Sequence, residues 1–201
     1  MTKKRRALVL LDRLVHLVGL PLSVAAFQAR AVVLAARSGD AFALQAASQP
    51  SDVRGLLRLA SGRRSVVELG TATGWTTASL VLADRERTVT SYDPVVQPRR
   101  ARYAELVRPQ ARARMTFVDE TGEAGAARWS GPPVDLLFID STHTREDTLA
   151  EFRAWRPHLA EGARVVFHDF GNPAFPGVAD AVEELGLAGE VAGGSYVADP
   201  D

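Results

Sequence analysis

The spacing of apolar residues along the chain changes character once, close to residue 63. Before that point every pattern is helical. Leu8, Leu11, Val15 and Val18 recur at helical intervals while Leu10, Leu14 and Leu17 lay down a second stripe. The first segment therefore predicts a helix that is apolar over much of its circumference and needs another surface to bury it. Pro21 closes that helix, Ser23 is placed to cap a second one running to about Arg37, and Gly39 supplies its C-terminal stop. Ser51 is placed to cap a third, which carries Val53, Leu56, Leu57 and Ala60 and ends at Gly62.

From Ser65 onward short β-branched or apolar runs take over, at "SVVEL", "TVTSY", "MTFV", "VDLLFI" and "ARVVFH". Helical stretches separate them: "WTTASLVLA", "RRARYAELV" and "REDTLAEFRAWRPHL". Alternation of strand and helix implies right-handed crossovers and a parallel sheet covered on both faces, which explains why the strands are continuously apolar. A last helix near Val178 to Leu185 precedes "LAGEVAGGSYVAD", two short strands joined at Gly193 and Gly194 as a hairpin closing the sheet edge.

Composition narrows the function classes. Lys plus Arg and Asp plus Glu both number 24 in 201 residues, so no net field exists to gather nucleic acid. The lack of cysteine removes disulfides, zinc-thiolate sites and thiol nucleophiles, and agrees with a reducing, cytoplasmic setting. The basic start, Lys3 to Arg6 before an apolar stretch, resembles a secretory signal, but Asp12 and Arg13 interrupt it. Residues 14–29, free of formal charge, fall short of the ~20 needed to span a bilayer. Three readings stay open for this region: a buried or homodimer-forming helix with a solvated basic head, a peripheral membrane contact through residues 1–36, and a cleaved signal.

An open parallel sheet holds its ligands beyond the carboxyl ends of its strands. Here those ends read Glu68 to Gly74, then Asp93, Asp119-Glu120, Asp140-Ser141-Thr142-His143 and His168-Asp169. Acids in such places must be solvated or paired, so a succession of ionisable strand ends points to a site more than to packing. In "VVELGTATGWTT", Gly70 and Gly74 permit a tight turn and close approach of a ligand to the next helix's N-terminus. Asp93 ends the following strand, where a carboxylate can accept both hydroxyls of a ribose. The G-x-G-x-x-G spacing of a dinucleotide turn is missing, and a plain strand-to-helix turn is the alternative.

Glu68-x-Gly70-x-x-x-Gly74, Asp93, Asp119 and "FIDSTH" together resemble the successive motifs of class I S-adenosylmethionine-dependent methyltransferases, over roughly residue 51 to the C-terminus, with Ala72 in place of the usual middle glycine. The resemblance implies an α/β, Rossmann-like, doubly wound, mostly parallel seven-stranded sheet with an antiparallel C-terminal hairpin strand. Residues 63–201 would be the S-adenosylmethionine-binding domain and residues 1–62 an N-terminal helical extension that covers the site or forms a dimer. It also implies that Gly70, Thr71 and Gly74 approach the methionine part of the cofactor beside Trp75, with Glu68 organising the loop. Asp93 would hold the ribose, Asp119 and Glu120 would lie near the adenine, and Asp140 would border the cofactor.

Within that superfamily, "LLFIDSTHTREDTLAEFRAWRPHLAEGARVVFHDF" is similar to the bacterial metal-dependent O-methyltransferases that tailor sugars and antibiotics. By that resemblance Asp140 and Asp169, with His168 beside them, are metal ligands, His143 is the base, and the substrate is a small hydroxylated molecule. The chemistry suits the residue types. A hard cation lowers a hydroxyl's pKa and fixes its angle, Mg²⁺ takes carboxylates and keeps several waters, and histidine accepts protons near neutrality.

His168-Asp169 stands where that family has adjacent acids. Magnesium takes imidazole poorly, so three outcomes stay open: Mg²⁺ on the two carboxylates, a softer ion such as Mn²⁺, or no metal. Asn172 is a further oxygen donor, and His168 has an alternative role in orienting a carboxylate. His143 can instead belong to the cap of the next helix, with Thr142 or Thr144 capping and Glu146 or Asp147 facing the helix dipole. Trp75 either covers the cofactor or packs its helix. Arg99, Arg100 and Arg102 read as a solvated helix face, Phe152 and Trp155 as core. Two other classes remain as rivals: an NAD-type oxidoreductase and a non-catalytic S-adenosylmethionine-binding module.

Overall fold

The computed structural model describes Arg13 and residues 15–200. The first helix expected from the sequence, with Leu8, Leu10, Leu11 and Leu14, has its key positions outside the described residues. Seven strands form one sheet: β1 (Ser65–Leu69), β2 (Thr88–Tyr92), β3 (Met115–Val118), β4 (Val134–Ile139), β5 (Leu159–His168), β6 (Gly189–Ala192) and β7 (Ser195–Ala198). Their order is β3-β2-β1-β4-β5-β7-β6. The first five are parallel and β7 is antiparallel to both β5 and β6. The expected doubly wound α/β sheet with an antiparallel C-terminal hairpin is therefore what the chain forms. The hairpin's inner strand is the later one: β7 lies between β5 and the fully exposed edge strand β6.

Strand residues alternate between two packed faces. Val67, Leu69, Leu137, Ile139, Val165 and Phe167 point to one side, and Val66, Leu136, Phe138 and Val166 to the other. Both faces are covered, so both sets must be apolar and the runs read as unbroken. The first face meets helices α8 (Arg145–Trp155) and α9 (Pro176–Leu185), which bring Phe152, Trp155, Val178 and Val182. The second meets α3 (Pro50–Leu59) and α4 (Trp75–Ala83) through Leu56, Leu80 and Val81. Phe152 and Trp155 are core, as the helical spacing predicts.

The N-terminal helices are α1 (Leu22–Ser38) and α2 (Ala41–Ala46), followed by α3. Gly39 stops α1 in the left-handed region at φ 68°. Two caps differ from expectation. Pro21 holds the N-cap position of α1, and the Ser23 hydroxyl instead donates to the Leu82 carbonyl at 2.9 Å, tying α1 to α4. Helix α3 starts at Pro50 with Gln49 before it, because proline's fixed φ and missing N–H suit a first turn better than Ser51 suits a cap. Helix α2 has no counterpart in the sequence reading. Asp40 caps it by accepting from the Ala43 amide at 3.0 Å, while its other oxygen accepts from the Tyr103 hydroxyl at 2.8 Å.

Short helices α5 (Arg100–Ala104), α6 (Pro109–Arg112) and α7 (Gly122–Ala127) complete the connections. Arg100 departs from the solvated face expected of it. It is 8% exposed, lies over the Phe117 ring and pairs with Asp119 at 2.5 Å. No helix among the described residues is long and apolar enough to cross a membrane.

Candidate active site

Beyond β1 the chain turns toward β2, and beyond β4 toward β5, so the neighbouring ends of β1 and β4 form the sheet's switch point, where two connections part and leave a crevice. Gly70 lies there at φ 100°, and a Cβ built on it would sit 1.9 Å from the Asp140 carbonyl oxygen. Only glycine lets the two strand ends close. The Asp140 amide donates to Leu69 O and the Gly70 amide to Tyr92 O, each at 2.8 Å, which fixes the three strand ends together.

A cavity of about 720 Å³ opens at this point. Gly70, Ala72, Asp93, Asp140 and His143 line one part of it, and Phe42 of α2, Asp52 of α3 and Ser48 between those helices line another. Asp93 accepts from the Ala72 amide through one oxygen and from the Val95 amide through the other, both at 2.8 Å, so it braces the glycine turn and keeps further lone pairs for a ligand. Ala72, His143 and Asp169 are the non-glycine residues with positive φ among the described residues, at 43°, 63° and 57°. All line the cavity, and strained backbone held in place by its surroundings is a mark of functional loops.

Other residues singled out in the sequence lie elsewhere. Glu68 is buried under the turn, where Thr77 and Ser91 donate to it and Ser91 in turn bonds Thr71 at 2.7 Å. Burial pushes the Glu68 carboxyl up to about 8, against those hydrogen bonds. Gly74 starts α4 and, like Thr71, is not among the lining residues. Trp75 packs edge-on against Tyr103 in the core beneath α1 and does not reach the cavity. Asp119 is turned to Arg100 and Glu120 to Arg128, and neither lines the cavity; Thr121, Gly122 and Glu123 do.

The carboxyl ends of β4 and β5 bring four ligating side chains together. One nitrogen or oxygen from each of Asp140, His143, His168 and Asp169 lies within 4.8 Å of the others. His143 Nε2 is 3.2 Å from Asp140 Oδ1 and 3.2 Å from Asp169 Oδ2. His168 Nδ1 is buried at 3.0 Å from Asp140 Oδ1 and 3.4 Å from Asp169 Oδ2, yet makes no well-aligned hydrogen bond with either. Asn172 is not a member of this group; its amide donates to Asp169 Oδ1 at 2.8 Å and steadies it. Phe175 stacks on the His143 ring at 4.4 Å. Thr144, accepting from the Asp147 amide, is the cap of α8, so His143 stands just outside that helix with its ring free to face the carboxylates.

Charges in this cluster are strongly coupled. Burial favours neutral His143, but Asp140 and Asp169 together outweigh it and lift its pKa to about 9; the same contest lifts His168 to about 12. Burial also favours protonated Asp140, and the two histidines overturn that preference. His143 and the nearby His168 hold Asp169 well below the usual carboxylate range. Two carboxylates and two imidazoles with converging donor atoms suit a divalent cation, which would take the place of the histidine protons held between the carboxylates.

Among the cavity residues that escaped the sequence reading are Glu151, Asp52 and Phe175. Glu151 of α8 is 5% exposed, accepts from Ser141 at 2.6 Å, and has its pKa raised to about 7, chiefly by burial. Its signal was an acid on the same buried helix face as Phe152 and Trp155. Asp52 reads in sequence as an ordinary first-turn acid of α3, and Phe175 as a loop residue before a proline; nothing local marks either.

A sheet of this order, parallel but for its C-terminal hairpin, with a glycine turn at its switch point and an acid ending the second strand, is the Rossmann-like arrangement expected of a class I methyltransferase. A family model described as a methyltransferase domain matches residues 67–170, more than half of the chain, and the chain belongs to that family. It is an S-adenosylmethionine-dependent methyltransferase. No curated protein sequence matches it. Among solved structures, apo CalS11, a TDP-rhamnose 3′-O-methyltransferase of calicheamicin biosynthesis, superposes with a TM-score of 0.62 at 16% identity, covering 99% of this chain and 96% of that one. An O-methyltransferase from Bacillus cereus in complex with S-adenosylhomocysteine gives 0.63 at 15% identity, covering 93% and 94%. The mycinamycin-pathway methyltransferase MycE, solved with Mg and S-adenosylhomocysteine, gives 0.55 at 13% identity, covering 75% of this chain and 48% of that one. At these identities the likeness establishes the fold.

Proposed function

We propose that the protein transfers the methyl group of S-adenosylmethionine to a hydroxyl oxygen of a small molecule, assisted by a divalent cation. The observation that carries this reading is the convergence of Asp140, His143, His168 and Asp169 in the wall of the cavity that Gly70 also lines. Similar folds in an O-methyltransferase bound to S-adenosylhomocysteine and in a methyltransferase bound to Mg and S-adenosylhomocysteine support it.

Gly70, Ala72 and Asp93 would cradle the cofactor, with Asp93 facing the ribose and the backbone near Thr121 and Gly122 taking the place assigned from sequence to Asp119 and Glu120. Glu68, through Ser91 and Thr71, holds the turn rigid from below. Asp140, Asp169 and His168 would hold the cation, which when bound supplies a Lewis acid that acidifies the acceptor hydroxyl. His143 is the proposed base, accepting the hydroxyl proton at Nε2, and Phe175 stacked on its ring sets its angle. With a pKa of about 9 it holds its own proton at neutral pH unless the charge on Asp140 and Asp169 is offset, which is why base and cation are proposed together. The acceptor would lie between His143 and the wall formed by Phe42 and Ser48, so the N-terminal extension shapes its pocket. Exposed Val15, Val18 and Leu22 support a further contact, with a second copy or a lipid surface, through the same extension.

Methyl transfer from labelled S-adenosylmethionine to a panel of sugars, polyols and catechols tests the reading. Activity should vanish in excess chelator, return with added Mn²⁺ or Mg²⁺, and fall by about 10²- to 10⁴-fold in His143→Ala. Full turnover in chelator would remove the cation from the proposal. Unchanged turnover in His143→Ala would remove the base.

A further inference from the structure

Asp52 is placed where neither the glycine turn nor the strand ends would lead one to look. It lies in the first turn of α3, on the N-terminal extension, yet it lines the main cavity together with His168 and Asp140. Behind Asp52 and His168 lies a second cavity of about 350 Å³, bounded by α3 and by the turn at Gly193 and Gly194 between β6 and β7. Asp52 and His168, together with Ser48, thus form the partition between the two cavities. The imidazole of His168 spans it: Nδ1 faces Asp140 and Asp169 at 3.0 and 3.4 Å, and Nε2 faces Asp52 Oδ2 at 3.9 Å, an ion-pair separation. Phe138 meets the ring edge-on at 5.8 Å and limits its rotation.

A neutral imidazole has one N–H and one lone pair, and the partner of one nitrogen decides which of them the other presents. Asp52 can only accept from His168 Nε2, because an ionised carboxylate has no proton to give. With a cation between Asp140 and Asp169 in place of the Nδ1 proton, the remaining N–H would be held on Nε2 by Asp52 and the Nδ1 lone pair would be aimed at that cation. That is the arrangement in which a carboxylate orients a metal-ligating histidine through its far nitrogen. It also accounts for the buried Nδ1 that makes no aligned hydrogen bond.

We propose that Asp52 is a positioning residue that fixes His168 as an Nδ1 ligand, so that the N-terminal extension completes a mixed centre of one imidazole and two carboxylates, beside the base His143, suited to a transition-metal ion such as Mn²⁺ in preference to Mg²⁺. The proposal rests on the cation-assisted reading given above. The bland role for Asp52, an acid favouring the positive end of α3, predicts no link to His168.

A double-mutant cycle on the full chain separates the two, with Mn²⁺ affinity measured by the loss of the free-ion electron paramagnetic resonance signal. Asp52→Asn, close in volume, should weaken Mn²⁺ binding about 10- to 100-fold, and should have no further effect in a His168→Ala background. In the unmutated protein, ¹⁵N-histidine spectra with Zn²⁺ should show the metal on Nδ1 of His168 and the proton on Nε2. This readout does not depend on any variant folding. Equal Mn²⁺ affinity in Asp52→Asn, additive effects in the double variant, Nε2 metallation, or Mg²⁺ binding as tightly as Mn²⁺ would each overturn the proposal while leaving cation assistance intact. Failure of the parent protein to bind any divalent ion would overturn both.

Discussion

Gly70 and Glu68, two positions apart on the same strand end, show how differently single residues disclose their roles. Gly70 could be read from sequence as a tight-turn glycine, but the reason for it, a carbonyl from β4 where a methyl would go, is a contact with a distant stretch. Glu68 was legible as an organiser of the turn, and its environment adds a consequence. The folded protein keeps the Glu68 proton up to about pH 8 because burial disfavours the charge, whereas the unfolded chain releases it near its ordinary value of 4.5. Between those values the folded state binds more protons than the unfolded one, so this group's contribution to stability is full below about 4.5 and is lost as pH rises through about 8. Glu68→Gln keeps the shape and removes the titration. Urea denaturation of parent and variant from about pH 5 to about pH 8.5 should show the variant gaining on the parent as pH rises; a difference flat in pH would mean that Glu68 is not held neutral.

Elements were legible in proportion to the length of their pattern. Strands β1 to β5 have apolar runs because helices cover both faces, and α4 and α8 are long enough to show a helical period. Helix α2, Ala41–Ala46, is too short for one, and the cap at Asp40 was its only sign. The hairpin's strands were visible, but the insertion of β7 beside β5 depends on pairing that no local spacing encodes. Asp40 is also the place where this element is most open to test. It is 6% exposed, caps α2, and accepts from Tyr103, whose own pKa is raised by burial and by that carboxylate. Losing a cap costs about 1 kcal/mol and stranding a buried hydroxyl about 1–3 more, so Asp40→Ala should cost about 2–4 kcal/mol in chemical denaturation. Asp40→Asn, which keeps one acceptor oxygen, should lose less. Equal losses in the two variants would show that the charge, and not the paired acceptors, holds α2 against α5.

At the scale of the whole molecule, the sheet and the line of chemistry along its carboxyl edge could be read in advance because strand ends are local features whose order in sequence maps onto one side of a parallel sheet. What could not be read was the depth at which each side chain sits. Asp119 and Glu120 end β3 as expected but are drawn off by Arg100 and Arg128, while Asp52, Phe42 and Glu151 reach the cavity from helices whose docking is set by core packing. The extension shares its core with the sheet domain: Phe27, Ala31 and Leu44 pack with Trp75, Ala78 and Tyr103. Because helices before β1, the turn after it and the ends of β4 and β5 all wall one cavity, a cofactor bound there stabilises the folded state as a unit. A ligand present at about a hundred times its Kd adds ~2.7 kcal/mol to stability, and a domain of roughly 150–250 residues shifts by ~2–4 °C for each kcal/mol. S-adenosylhomocysteine should therefore raise the melting temperature by about 5–10 °C, with NAD giving no shift at the same concentration. If neither ligand moves the transition, the cavity beside Gly70 is not the cofactor site; if NAD alone moves it, the assignment of that cavity to S-adenosylmethionine fails and the oxidoreductase reading of the glycine turn takes its place.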